Sequence, residues 1–274
     1  MSGTTLSRHR TDHGARWALN GHYLPAGISL GMLLDLPKSA LPGFISALPQ
    51  GAPAEDPVLP PVEANQEIWA SGVTYLRSRE ARKSESDVGD VYEMVYDADR
   101  PEIFLKAVGW RAVGHGMPFR IRVDSQWNVP EPELVLVINS GGEIVGYCAG
   151  NDASSRDIEG ANPLYLPQAK MYNQSCAIGP GIILTDVGQM SSLDISLEIS
   201  RDGGTVFTGE TSTANMKRSL QELADYMFKE LDFPNGALLM TGTGIVPGDE
   251  FTLQVGDLVR ITVGDLTLVN ETQQ

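Results

Sequence analysis

Two cysteines in 274 residues, Cys148 and Cys176, leave no room for a disulfide framework, and a cytoplasmic setting is the simplest reading. Histidine is almost as scarce, with His9, His13, His22 and His115 the full set. Only His9 and His13 have a spacing that suits zinc, and they fall in a segment that reads as a mobile tail. Any metal is therefore expected to be held by oxygen. Basic residues are outnumbered, 20 Lys and Arg against 35 Asp and Glu, a net charge of −15. Phosphate backbones need clustered Lys and Arg, so nucleic acid is excluded as a partner, and docking on anionic lipid is disfavoured. No apolar run approaches the roughly 18 residues of a membrane span. The opening MSGTTLSRHRTDHGARW lacks the apolar core of a secretory signal. What remains is a globular composition, 42% hydrophobic and 20% charged, which argues against disorder.

Residues 49–63, PQGAPAEDPVLPPVE, hold five prolines and no helical or strand period, the signature of a linker. They divide a small N-terminal α+β domain, residues 1–66, from a catalytic domain, residues 67–274. In the first part, Trp17–Leu24 reads as one or two short strands and Ser29–Leu48 as two short helices interrupted at Pro37 and Pro42. Beyond Glu67 the chain is mostly strand-like. Leu193, Ile195, Leu197 and Ile199 alternate with polar residues, and Phe251–Val255 and Val259–Val263 repeat that period of two. Glu133–Ile138 suits a buried strand. Met216, Leu220, Leu223, Met227 and Leu231 share one helical face, with Thr213 or Asn215 as the cap. The expected fold is mixed α+β, mostly β, a curled sheet with accessory helices.

Glu131 and Glu133 are two apart, so in an extended chain both carboxylates point to one face. Paired like charges beside a core repel unless a cation compensates. A solvated strand face is the simpler reading of this pattern alone. Gly150–Asp157 is a polar knot that reads by itself as a turn, and Asp152 gains interest as a third carboxylate. Three carboxylates without His or Cys describe a site for Mg²⁺, Mn²⁺ or Ca²⁺. Lys170 stands alone among uncharged residues, either snorkelling at the surface or serving as a proton carrier near a metal. Thr241–Gly244 is a small-residue loop, a plain tight turn or a backbone cradle for an anion.

The order of these pieces resembles the fumarylacetoacetate hydrolase superfamily across roughly residues 67–271. Glu131/Glu133 are followed by Asn151–Asp157, Lys170-Met171-Tyr172, Gly179-Pro180, Thr241–Thr243 and Leu253–Asp257. The resemblance implies a β-roll around a Mg²⁺- or Mn²⁺-dependent site in a homodimer or dimer of dimers. It makes Glu131, Glu133 and Asp152 the metal ligands, Lys170 catalytic, and Arg156, Tyr172 and Thr243 contacts for a 2-keto acid substrate. Hydrolases of the family carry a water-activating His after a segment that matches Gly72–Glu80, and this chain has none between His22 and His115. Residues 81–86 read as a lid or as a solvated helix.

Gly72–Tyr75, Tyr96–Ala107 and Gly242–Pro247 resemble a subgroup, the 2-keto-3-deoxy-D-arabinonate dehydratases, which form 2-oxoglutarate semialdehyde. That likeness implies a hydro-lyase in which the cation polarises the keto group while Glu102 or Lys170 takes a C3 proton. Glu102 reads equally as an exposed residue at a strand start. Acylpyruvate hydrolysis, oxaloacetate decarboxylation and a non-catalytic member of the family are the alternatives.

Overall fold

The chain is described by a computed structural model over residues 3–85 and 94–274. Its centre is a pair of antiparallel strands, Pro132–Ile138 and Ile144–Asp152, in which every residue is buried. Both lack the alternation of a half-wet strand because protein covers both of their faces. They lie inside a ten-stranded sheet. On one side of Ile144–Asp152 follow Cys176–Leu184, Thr4–Thr11, Gly14–Leu19 and His22–Tyr23. Beyond Pro132–Ile138 come Ala237–Met240, Glu67–Gly72 and Glu102–Val108.

A five-stranded sheet packs against this one. It includes Asp194–Arg201 and Leu258–Val263, whose register sets Ile195 opposite Val263, Leu197 opposite Ile261 and Ile199 opposite Val259. All six side chains are buried, so the period of two seen in the sequence marks the face turned to the core. The buried apolar residues of both sheets form one continuous cluster. Among the described residues no helix is long and apolar enough to cross a membrane.

Four local readings need correction. The expected mobile tail is the strand Thr4–Thr11, paired with Cys176–Leu184, and His9 is buried with its ring bonded to Asp56 O and Ser7 Oγ. The proline-rich stretch is a strap rather than a free linker. Val58–Leu59 pairs with Thr4–Thr11, and Pro57 O accepts from Arg10 N. Prolines leave their carbonyls as acceptors, so a chain poor in N–H groups can still be bound along its length.

Phe251–Val255 is not a strand: Leu253 N donates to Asn128 O, and the Asp257 carboxylate accepts from Gln254 N, which bends the segment and leaves Val255 exposed. The amphipathic helix spans Leu220–Met227 only. Ser219, rather than Thr213 or Asn215, caps it by accepting from Glu222 N at 3.1 Å. Met216 instead forms a bridge to Tyr75 before the helix begins.

Candidate active site

Glu131 sits between Pro130 and Pro132, which contribute no N–H to the ladder. Side chain and backbone from the neighbouring strand fix the segment instead: Glu131 N donates to Asn151 Oδ1 and Asp152 N donates to Glu131 O, both at 3.0 Å. The polar stretch expected as a turn is thus the continuation of the Ile144–Asp152 strand, with a helix, Arg156–Ala161, starting just after it. This pairing brings Asp152 beside the two glutamates. One oxygen from each of Glu131, Glu133 and Asp152 lies within 4.8 Å of the others, and all three residues are buried.

Three buried cations answer them. Lys170 Nζ is 2.8 Å from Glu131 Oε2 and 3.0 Å from Asp152 Oδ2. Lys106 Nζ is 2.6 Å from Asp152 Oδ1, and Arg156 Nη2 is 3.1 Å from Glu131 Oε1. Burial acts to raise the pKa of Asp152, but Lys106 and Lys170 outweigh it and hold the carboxyl below its ordinary range. Glu133 has only the Gly242 N–H, at 2.6 Å, as its hydrogen-bond donor among the described contacts. Burial, with Asp152 and Glu131 beside it, pushes its pKa well above the usual glutamate value. A buried cluster of hard oxygen donors, one of them driven toward protonation by burial and by the other two, fits a divalent cation.

Lys170 closes a short helix, Leu166–Lys170, and its carbonyl is held by Lys106 Nζ at 2.7 Å and Ser175 Oγ at 2.7 Å. Lys106 therefore touches Asp152 with its charge and the Lys170 backbone with a hydrogen bond. Sequence reasoning missed it. The available signal was a single lysine inside the apolar strand Glu102–Val108. Glu159 was missed too. It follows Arg156 by three positions on the same helix, is buried, and accepts from Ser154 Oγ at 2.6 Å.

The cavity beside this cluster encloses about 310 Å³, part of it open to solvent. Glu131, Asp152, Lys170, Glu102, Thr243 and Glu159 are among the residues that line it, with Ser71 and Ser78 adding hydroxyls. No histidine lines it among the described residues. Arg156 and Tyr172 stand behind the wall: Arg156 bonds Glu131, and the Tyr172 ring packs near Lys106 and Arg122, burial raising its hydroxyl to about 12. The Thr243 hydroxyl pairs with both backbone groups of Ile245. Gly242 has φ +89°, and a Cβ there would collide with Thr74 Oγ1, so the loop needs glycine. Residues 81–85 end the helix Leu76–Glu85, while the side chains of residues 82–85 and all of residue 86, where the lid reading falls, lie outside the described residues.

Glu102 reaches the cavity across Gly72, its partner in the strand register. A Cβ at Gly72 would collide with the Glu102 carboxylate. Gly72→Ala is expected to push that carboxylate aside, and a proton-transfer part for Glu102 predicts a kcat at least about tenfold lower in this variant. Steady-state kinetics on the folded variant checks this, and an unchanged kcat would remove Glu102 from the chemistry.

A mostly β fold with a carboxylate-walled, lysine-braced cation site defines the class of the protein. The fumarylacetoacetate (FAA) hydrolase C-terminal family matches residues 67–272, and the chain belongs to that family. It is 50% identical over 204 residues to a Haloferax volcanii protein named "Probable 2-keto-3-deoxyxylonate dehydratase", covering 74% of this chain and 70% of that one. It is 45% identical over 216 residues to the 2-dehydro-3-deoxy-D-arabinonate dehydratase of Saccharolobus solfataricus, covering 77% and 70%. The fold also matches a solved 2-keto-3-deoxy-D-arabinonate dehydratase complexed with magnesium and 2,5-dioxopentanoate, at a TM-score of 0.82 and 33% identity over 98% of each chain. The resemblance carried by the ordered motifs is borne out.

Proposed function

We propose that this chain is a Mg²⁺- or Mn²⁺-dependent dehydratase of 2-keto-3-deoxy-pentonates, forming 2-oxoglutarate semialdehyde. The observation that carries the reading is the composition of the cavity wall. Glu102 and Lys170 share it with the metal-ligand candidates Glu131 and Asp152, and it holds no histidine among the described residues to activate water for hydrolysis. The two dehydratase relatives at 50% and 45% identity support it.

Glu131, Glu133 and Asp152 would hold the cation, which supplies positive charge to polarise the keto group and offset charge on the enolate. Lys170 and Glu102 divide the proton transfers. One takes a proton from C3 and the other protonates the C4 hydroxyl, which leaves as water. The resulting unsaturated keto alcohol loses a C5 proton and regains one at C3, giving a C4–C5 enol that becomes the aldehyde. Thr243 and the Gly242 backbone border the space for the substrate's oxygen atoms. Arg156 and Tyr172 serve that contact from behind the wall, by bracing Glu131 and Lys106.

The remaining assignments belong to the same reading. Residues 67–274 form the catalytic unit, since the cavity-lining residues all fall between Ser71 and Thr243, and residues 1–66 are an accessory unit whose strands Thr4–Thr11, Gly14–Leu19 and His22–Tyr23 lie at the opposite edge of the sheet from the Glu102–Val108 strand. Exposed Trp110, Val123 and Leu164 support assembly into a homodimer or dimer of dimers. Two buried free thiols suit the cytoplasm.

Incubation with Mg²⁺ and a 2-keto-3-deoxy-pentonate is expected to yield the semialdehyde, detected by aldehyde trapping. Chelator should suppress the rate at least about 100-fold and added Mg²⁺ restore it. Turnover of acylpyruvates without any semialdehyde would overturn the proposal.

A further inference from the structure

Arg218 lies outside the cavity lining, yet it is buried and its guanidinium gathers one short stretch of backbone. Nη2 donates to Ala98 O at 2.6 Å and Val95 O at 3.2 Å, and Nη1 donates to Asp99 O at 3.3 Å. Residues 94–97 are helical, so these carbonyls stand where a helix leaves its acceptors without a following turn. The guanidinium is itself fixed by Glu222 Oε1 at 2.6 Å, on the capped helix Leu220–Met227. Its neighbour holds the same stretch. Lys217 Nζ donates to Tyr96 O at 2.5 Å and Asp97 Oδ1 at 2.7 Å, and lies 4.2 Å from the Tyr96 ring centroid. Lys217 N also donates to Thr74 O, tying this clamp to the turn that follows Gly72.

The clamped stretch ends at Asp99, and Glu102 opens the next strand three positions later. Glu102 must lie across Gly72 to reach the cavity, and Ser71 Oγ donating to Glu102 O at 2.8 Å holds its backbone from the other side. We infer that Arg218 is a positioning residue for Glu102: by gathering the carbonyls of Val95, Ala98 and Asp99 it sets the entry of the strand and so the place of the Glu102 carboxylate in the cavity. The inference rests on the proposed part of Glu102 in proton transfer. A planar, multi-donor fork suits this task, because its nitrogens reach several carbonyls in fixed directions, whereas an ammonium on the same stem is a single point charge.

A coupling experiment with the full chain and Mg²⁺ tests it. Arg218→Ala and Arg218→Lys are each combined with Glu102→Gln. In the otherwise native chain, Arg218→Ala is expected to lower kcat at least tenfold with KM within about twofold, and Arg218→Lys to recover part of the loss. In the Glu102→Gln background both substitutions should change kcat by less than about twofold, since the group they position is already disabled. Equal losses in the two backgrounds would show a general structural role and overturn the inference while leaving Glu102 in place. Full activity of Glu102→Gln alone would overturn both. Arg218→Lys retains the charge and stem, so the coupling remains measurable if the alanine variant does not fold.

Discussion

Replacing Glu133 with glutamine is expected to reduce turnover at least about 1,000-fold while leaving the metal-free fold as stable as before or more so. Glu133 is buried beside Glu131 and Asp152, with its pKa pushed well above the ordinary value by burial and by those two charges. Glutamine keeps the shape and an acceptor for Gly242 N–H, but it removes the charge the cation needs. The sign of the pH effect follows. A carboxyl whose folded pKa is raised contributes stability that is complete below the unfolded glutamate value and is lost as pH rises through the folded one. Metal-free native protein should therefore lose thermal stability from the ordinary glutamate range upward, and Glu133→Gln should lose less. Added Mg²⁺ should raise the melting temperature of the native chain and not of the variant. Melting curves with chelator and with Mg²⁺ across pH measure this. A native-sized Mg²⁺ shift in the variant would remove Glu133 from the ligand set.

Lys170→Met is expected to fail in both activity and folding. The native ammonium bridges Glu131 and Asp152 at 2.8 and 3.0 Å, fully enclosed. Removing it strands buried negative charge, a loss of about 3–5 kcal/mol in the metal-free protein. It also removes the proposed proton carrier from the cavity wall, a role worth about 100- to 10,000-fold in kcat. Lys170→Arg separates the two effects. A guanidinium keeps the charge but does not give up its proton, so stability should largely return while kcat stays low. Urea unfolding with chelator, beside kinetics with Mg²⁺, reads both quantities. An arginine variant with native kcat would leave Lys170 an electrostatic brace only.

The ligand candidates were legible because two local rules reach them. Period two sets Glu131 and Glu133 on one face, and the ordered motifs that follow supply Asp152 and Lys170. The same period located Asp194–Arg201 and Leu258–Val263. It misled at Phe251–Val255, where alternation exists but Asn128 and the Asp257 carboxylate claim the backbone. The helix was found from its apolar spacing and overextended because Met216 keeps that spacing while pairing with Tyr75 instead.

By itself, then, the sequence determined the β-rich class, the expectation that oxygen atoms would hold any metal, and the candidate carboxylates that a neighbouring residue or a motif could mark. Only the tertiary structure decided that Thr4–Thr11 joins the central sheet, that Lys106 braces Asp152 and Lys170, that Gly72 leaves room for Glu102, and that Arg218 gathers the backbone before it. The reason is one of range. Alternation and helical period are carried by residues a few positions apart, whereas a buried charge finds its partner through the packing of strands far apart in the chain, and no local pattern records which strands those will be.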